Sequence, residues 1–165
     1  ERQLDGFSSR PDAWSASLAF LSASAGGAGG VYLPWFAVRC LEGAVLRRWR
    51  FLSGADRGAL AGGARGLLLE HGVAGRWPAY VTVKLAKVVV DTGKVAWPHE
   101  YPEFMSHIEA AVQAEPSREL GILLTKLAVE ELQAAGSGGA GEVPAARSEE
   151  LRVHLAAALP GMLGM

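Results

Sequence analysis

A lysine directly after a glycine, as in Gly93-Lys94, closes a phosphate-binding loop when a hydroxyl residue follows and a second glycine stands five positions earlier. Here Val95 follows and Val88 stands in the glycine's place, so no phosphate loop is formed. His71, His99, His107 and His154 show neither zinc-ligand spacing nor a His-Glu-x-x-His arrangement, and read as surface or helix-end side chains. Ser137 has Ala135 where a nucleophile elbow needs glycine. Cys40 is the single cysteine, which excludes an internal disulfide framework and a Cys-based zinc cluster, fits a reducing compartment and reads as a small buried hydrophobe. The residues therefore point to no enzyme, no metal and no cofactor.

What remains is charge at helical spacing. Arg39 with Glu42, then Lys84, Lys87 and Asp91, then Lys126 with Glu130, make three mixed-charge stripes. Such stripes suit a polar protein partner, and they suit equally a solvated helix face. Arg47, Arg48 and Arg50 lie at the end of the second helix and complement the negative end of its dipole, and Glu149 and Glu150 fall in the first turn of the last helix, where the dipole favours acids. Trp14, Trp35, Trp49, Trp77 and Trp97 read as helix-packing anchors rather than a ligand cage. Lys plus Arg number 16 against 17 for Asp plus Glu, a net charge of -1, which argues against a dedicated DNA-binding domain.

The elements that must carry these stripes are helices. Half of the 165 residues are hydrophobic and recur with helical spacing, and no strand or hairpin signal is present. The first helix runs from an N-cap at Asp12 through Trp14, Leu18 and Leu21 to the Gly26–Gly30 cluster. A second runs from Val31 to Phe51 with Val38, Leu41, Val45 and Trp49 inside, and a third runs from a Ser53 cap to His71. A fourth, from Pro78 to Thr92 and closed by Gly93, buries Val81, Leu85, Val88 and Val89 and leaves Lys84, Lys87, Asp91 and Lys94 on a polar face.

Trp97-Pro98 starts the fifth helix, with Tyr101, Phe104, Met105, Ile108 and Val112 on one side. Ser117 caps a sixth that ends near Ala135 and buries Leu120, Leu123, Leu124 and Leu127; a last helix runs from Ala146 to Leu159. Gly62, Gly63 and Gly66 in the third helix read as drift in a chain rich in Ala and Gly, each weakening the helix by roughly 1 kcal/mol. The Pro11–Val38 stretch, with Asp12, glycines and Pro34, cannot span a membrane continuously.

Breaks at Pro34, Pro78 and Ser117 recur about every 40 residues, the period of HEAT or armadillo repeats. The expectation is an all-α, right-handed superhelix of about three and a half helix pairs, with a closed seven-helix bundle as the competing topology. Residues 1–135 form the repeats, 136–145 a Gly-rich flexible linker, and 146–165 the first helix of a further repeat; both ends read as cuts in a longer protein.

Leu46-Arg47-Arg48-Trp49 followed by Leu52-Ser53 and Asp56-Arg57, then Lys84-Leu85-Ala86-Lys87-Val88-Val89-Val90-Asp91 with Trp97-Pro98, Tyr101 and Phe104, resemble the N-terminal exportin-type repeats of the importin-β (karyopherin) superfamily. Val88 to Lys94, Leu120-Gly121-Ile122-Leu123-Leu124 and Ala146 to Arg152 look like the branch that exports profilin-bound actin. The chain departs from the family at Thr82-Val83, where an Arg-Asn pair is usual, and at Leu127-Ala128-Val129. The resemblance implies a shuttling nuclear export receptor whose N-terminal repeats bind the small GTPase Ran in its GTP form through the second helix of each pair. The candidate contacts are then Arg39, Glu42, Lys84, Lys87, Asp91, Lys126 and Glu130, with profilin-actin as cargo. The departures leave a second implication, an exportin-like scaffold reused in a cytoskeletal or ciliary assembly.

Overall fold

The computed structural model describes residues 6–8, 10–24, 30, 32–133 and 144–163. Among them there is no strand. The chain is all-α, with adjacent helices packed in HEAT-like pairs, and it divides into two compact units, Glu1–Val89 and Val90–Met165. No helix among the described residues is long and apolar enough to cross a membrane.

In the first unit α1 (Ala13–Ser24) packs on α2 (Tyr32–Gly43) and on α3 (Gly54–Leu67). The expected face of α2 is the observed one: Val38, Leu41, Val45 and Trp49 are all buried. The helix is not regular to Phe51, however. It widens into a π-helical turn over Ala44–Arg48 and tightens into a 3-10 turn over Trp49–Phe51. Hydrophobic spacing does not report such changes of pitch, because the same side chains stay buried.

Ser53 caps α3 as expected, its Oγ accepting from the Asp56 backbone N–H at 3.1 Å, an interaction of about 1 kcal/mol. The helix reaches its expected end at His71 only by way of a π-helical turn, Leu68–Gly72. It closes where Gly75 takes φ +61° and the Gly75 and Arg76 amides bond back to Gly72 and His71. That closure is a Schellman motif, in which a left-handed residue satisfies the last carbonyls. The turn lies against the helix that follows: a Cβ at Gly72 would stand 3.1 Å from the Thr82 methyl. Of the three glycines read as drift, Gly62 and Gly66 do face open space, whereas a Cβ at Gly63 would meet Leu18 at 2.8 Å.

Helix α4 (Ala79–Ala96) runs through Gly93 instead of stopping there. Gly93 is needed for packing, because a Cβ would overlap the Phe104 ring. In the second unit α5 (Phe104–Gln113) begins six residues after Pro98, and Tyr101 lies outside it. The physical reason is Pro102: a helix starting at Pro98 would need the residue 102 amide to donate to the residue 98 carbonyl, and proline has no N–H. Residues 97–103 form turns instead, with a cis Trp97-Pro98 peptide bond.

A 3-10 turn, Glu115–Ser117, leads into α6 (Arg118–Gln133), which packs on α5 and on α7 (Ala145–Leu163). Ser117 faces backwards, its hydroxyl donating to the Ala111 carbonyl at 3.0 Å. At Gly121 the α5 and α6 backbones come so close that a Cβ would strike Ala111 and Val112 main-chain atoms. Leu120, Leu124, Ala128 and Leu132 fill the α6 side of this core, while Leu123 and Leu127 are half-buried. Most of the expected 136–145 linker lies outside the described residues, as do the Gly26–Gly29 cluster and Val31.

Candidate partner-binding surface

The first unit gathers most of the charged candidates. Arg39 is exposed on α2 and its guanidinium lies 5.0 Å from the Trp35 ring centre, a cation-π contact that holds the side chain along its own helix. One turn on, Glu42 accepts from Lys84 Nζ of α4 at 2.5 Å, both groups half-buried. The pair ties the second helix of one HEAT pair to the second helix of the next. Along α4, Tyr80, Val83, Lys84 and Lys87 follow the i, i+3, i+4, i+7 rule, so they share one face. Val83 is 44% exposed and Tyr80 46%, which gives this face an apolar centre beside its lysines.

In the second unit the candidates separate. Asp91 is 1% exposed and Lys94 7%, so neither lies on the open polar face where periodicity sets them. Val90, Asp91, Thr92 and Gly93 are consecutive buried residues, so the end of α4 is covered all round rather than on one stripe. Lys94 is satisfied by Glu131 of α6, Nζ to Oε2 3.4 Å. Lys126 and Glu130 remain outside, paired along α6 at 3.9 Å, with Ile122 exposed one turn earlier.

Three further side-chain roles escape a sequence reading. Arg47, Arg48 and Arg50 do fall in the last turns of the α2 segment, and the carbonyls there are held in addition by Arg57 of α3. Arg57 Nε donates to the Trp49 and Leu52 carbonyls at 3.0 and 3.1 Å, and its Nη2 to the Arg50 carbonyl at 3.3 Å. His71 is buried at 3% exposure against the edge of Trp77, not on the surface. Glu150 accepts from Arg147 at 2.6 Å and from His99 at 2.5 Å, while Arg147 also donates to the Trp97 carbonyl. The Arg147 hydrogen bond first, and the His99 bond second, hold the Glu150 carboxyl below its ordinary range. Cys40 is a buried hydrophobe as expected, and burial pushes its thiol up.

Known proteins match this chain over its whole length. Exportin-6 of Danio rerio is 30% identical over 166 residues, which is all of this chain and 14% of that protein. The chain is exportin-6-like. Exportin-6-B of Xenopus laevis and Exportin-6 of Homo sapiens are each 28% identical over 165 residues, again all of the chain and 14% of those proteins. No protein-family model matches.

Of the segments that carry the resemblance, Val88 to Lys94 is largely buried, whereas Leu120 to Leu124 packs through Leu120, Gly121 and Leu124 and leaves Ile122 57% exposed. A third, Ala146 to Arg152, holds the Arg147–Glu150 bridge at the start of α7. Lys84, Lys87, Lys126 and Glu130 are reached by solvent.

Proposed function

We propose that this chain is part of a nuclear export receptor, that it binds Ran in its GTP form through the second helices of its pairs, and that profilin-actin is the cargo of the whole receptor. The observation that carries the reading is the match to exportin-6 over the full chain. Lys84 and Lys87, flanked by exposed Tyr80 and Val83, supply the first unit's contacts, with Arg39 and Glu42 at their margin. Lys126 and Glu130 supply the second unit's, while Asp91, 1% exposed, lies beneath the surface. Interfaces of this type combine an apolar centre with a charged rim.

Transport then follows from linkage. Ran-GTP and cargo each bind better in the other's presence, by about 1–3 kcal/mol for a typical coupling, and GTP hydrolysis weakens both together. The receptor moves between nucleus and cytoplasm, loading where Ran-GTP is abundant. The test is a titration of the full-length parent protein with Ran-GTP and Ran-GDP, with and without profilin-actin. GTP-selective affinity that falls about tenfold or more in the Lys84→Glu, Lys87→Glu, Lys126→Glu variant supports the reading, since a charge reversal at each contact acts on an interface energy of about 1.4 kcal/mol per tenfold. Unchanged affinity removes these lysines from the site.

One observation favours a second reading, an exportin-like scaffold in a cytoskeletal or ciliary assembly. Of the Thr82-Val83 pair that stands where the family usually carries Arg-Asn, Val83 is 44% exposed, and a bare apolar side chain there suits a stable apolar contact better than a cycling polar one. Salt-resistant retention with a cytoskeletal fraction, and no nuclear accumulation when export is blocked, would select it.

A further inference from the structure

We propose that Arg47, Arg50 and Phe51, at the irregular end of α2, form a docking patch for an acidic peptide segment of a protein partner, separate from the lysine face of α4. Three observations meet there. First, the usual task of arginines in a last helical turn is already performed, because Arg57 donates to the Trp49, Arg50 and Leu52 carbonyls. Arg47 and Arg50 are exposed, and among the described residues no carboxylate lies within ion-pair distance of either. The carboxylates closest in sequence to this end of the helix are engaged: Glu42 by Lys84 at 2.5 Å, and Asp56 by the Ser53 hydroxyl at 2.7 Å.

Second, Phe51 is 72% exposed, more than any other large apolar side chain described, and the Arg50 guanidinium lies 4.7 Å from its ring centre. A guanidinium stacked on an aromatic ring keeps its N–H edge free for a carboxylate, so the ring and the charge offer one continuous contact. Third, the π-helical turn Ala44–Arg48 and the 3-10 turn Trp49–Phe51 re-aim these side chains, and a break of this kind in a helix commonly marks a working site. Arg48 braces the patch from behind, donating from Nη1 to the Arg10 carbonyl at 2.7 Å.

Charge complementarity sets the occupant. Carboxylates meet Arg47 and Arg50 in bidentate fashion while an apolar side chain of the same segment covers Phe51. Nucleic acid fits less well, because its binding draws on many phosphate contacts and this patch offers few guanidiniums at one helix end, in a chain of net charge -1.

The experiment is a fluorescence-anisotropy titration of the full-length parent protein with a labelled peptide of alternating Glu and Phe, its Gln-for-Glu counterpart, and a single-stranded 20-nucleotide DNA. The acidic peptide should bind best, and the Arg47→Glu, Arg50→Glu variant should weaken it about tenfold, two exposed pairs turned from attraction to repulsion. Phe51→Ser should weaken it about threefold, and Lys84→Glu, Lys87→Glu should leave it unchanged, which separates this patch from the Ran face. Circular dichroism confirms that each variant keeps its helicity. No peptide binding, equal binding in the double-arginine variant, or tighter binding of the DNA overturns the proposal.

Discussion

Glycine and lysine do opposite work in the two units. In the first, Gly62 and Gly66 sit on the open side of α3, and Lys84 is half-exposed above Glu42. In the second, Gly93 and Gly121 are overlaid by neighbouring atoms, and Lys94 is closed in against Glu131. Residue type therefore says little about role in this chain. What decides it is how closely the next helix approaches, and the second unit is where α5 and α6 meet backbone to backbone.

The largest effect should come from Gly121→Ala. Its Cβ would meet the Ala111 and Val112 main chain, so the two helices must part, at a cost of about 3 kcal/mol in urea unfolding. A loss under about 1 kcal/mol would mean that the helices slide apart freely.

Next is Lys94→Ala, which removes the enclosed ammonium from the Glu131 carboxylate. A broken pair with one partner partly exposed should cost about 2–3 kcal/mol, whereas Lys126→Ala, at the exposed pair on the same helix face as Glu130, should stay within about 0.5 kcal/mol. Equal costs would erase the distinction between the interior and the surface lysine.

Gly62→Ala reverses the sign. With open space around the new methyl it should raise stability by about 1 kcal/mol, read as a higher urea midpoint at unchanged slope.

The smallest effect concerns pH. The Glu150 carboxyl lies below its ordinary range in the folded chain, so its contribution is present above about pH 4.3 and is lost as pH falls through the folded value. Carbon NMR of the Glu150 carboxyl should show titration below that of a free glutamate, and titration at or above it would mean that Glu150 is held by neither Arg147 of its own helix nor His99.

Much of this was legible in the chain. The buried faces of α2 and α4 follow from 3.6-residue spacing, and the Ser53 cap from a serine ahead of an acid. Gly93 was misleading because a glycine after an apolar run usually ends a helix, and only the Phe104 ring, brought over it by folding, shows why glycine stands there. Lys94 and Asp91 were misplaced for a related reason: a charged residue reads as a surface residue until its partner, 37 positions away for Lys94, is known. The candidate surface was legible as charge on Lys84, Lys87, Lys126 and Glu130. Its apolar centre, Tyr80 and Val83, was not, because spacing cannot say which of two apolar faces a helix leaves bare.

The Arg57 guanidinium belongs to α3, yet the carbonyls it holds close the end of α2, so neither helix end can come apart without releasing the other. The junction from Trp49 to Arg57 should therefore open as a single cooperative event, with slow and uniform amide hydrogen exchange across it rather than fraying from two independent termini.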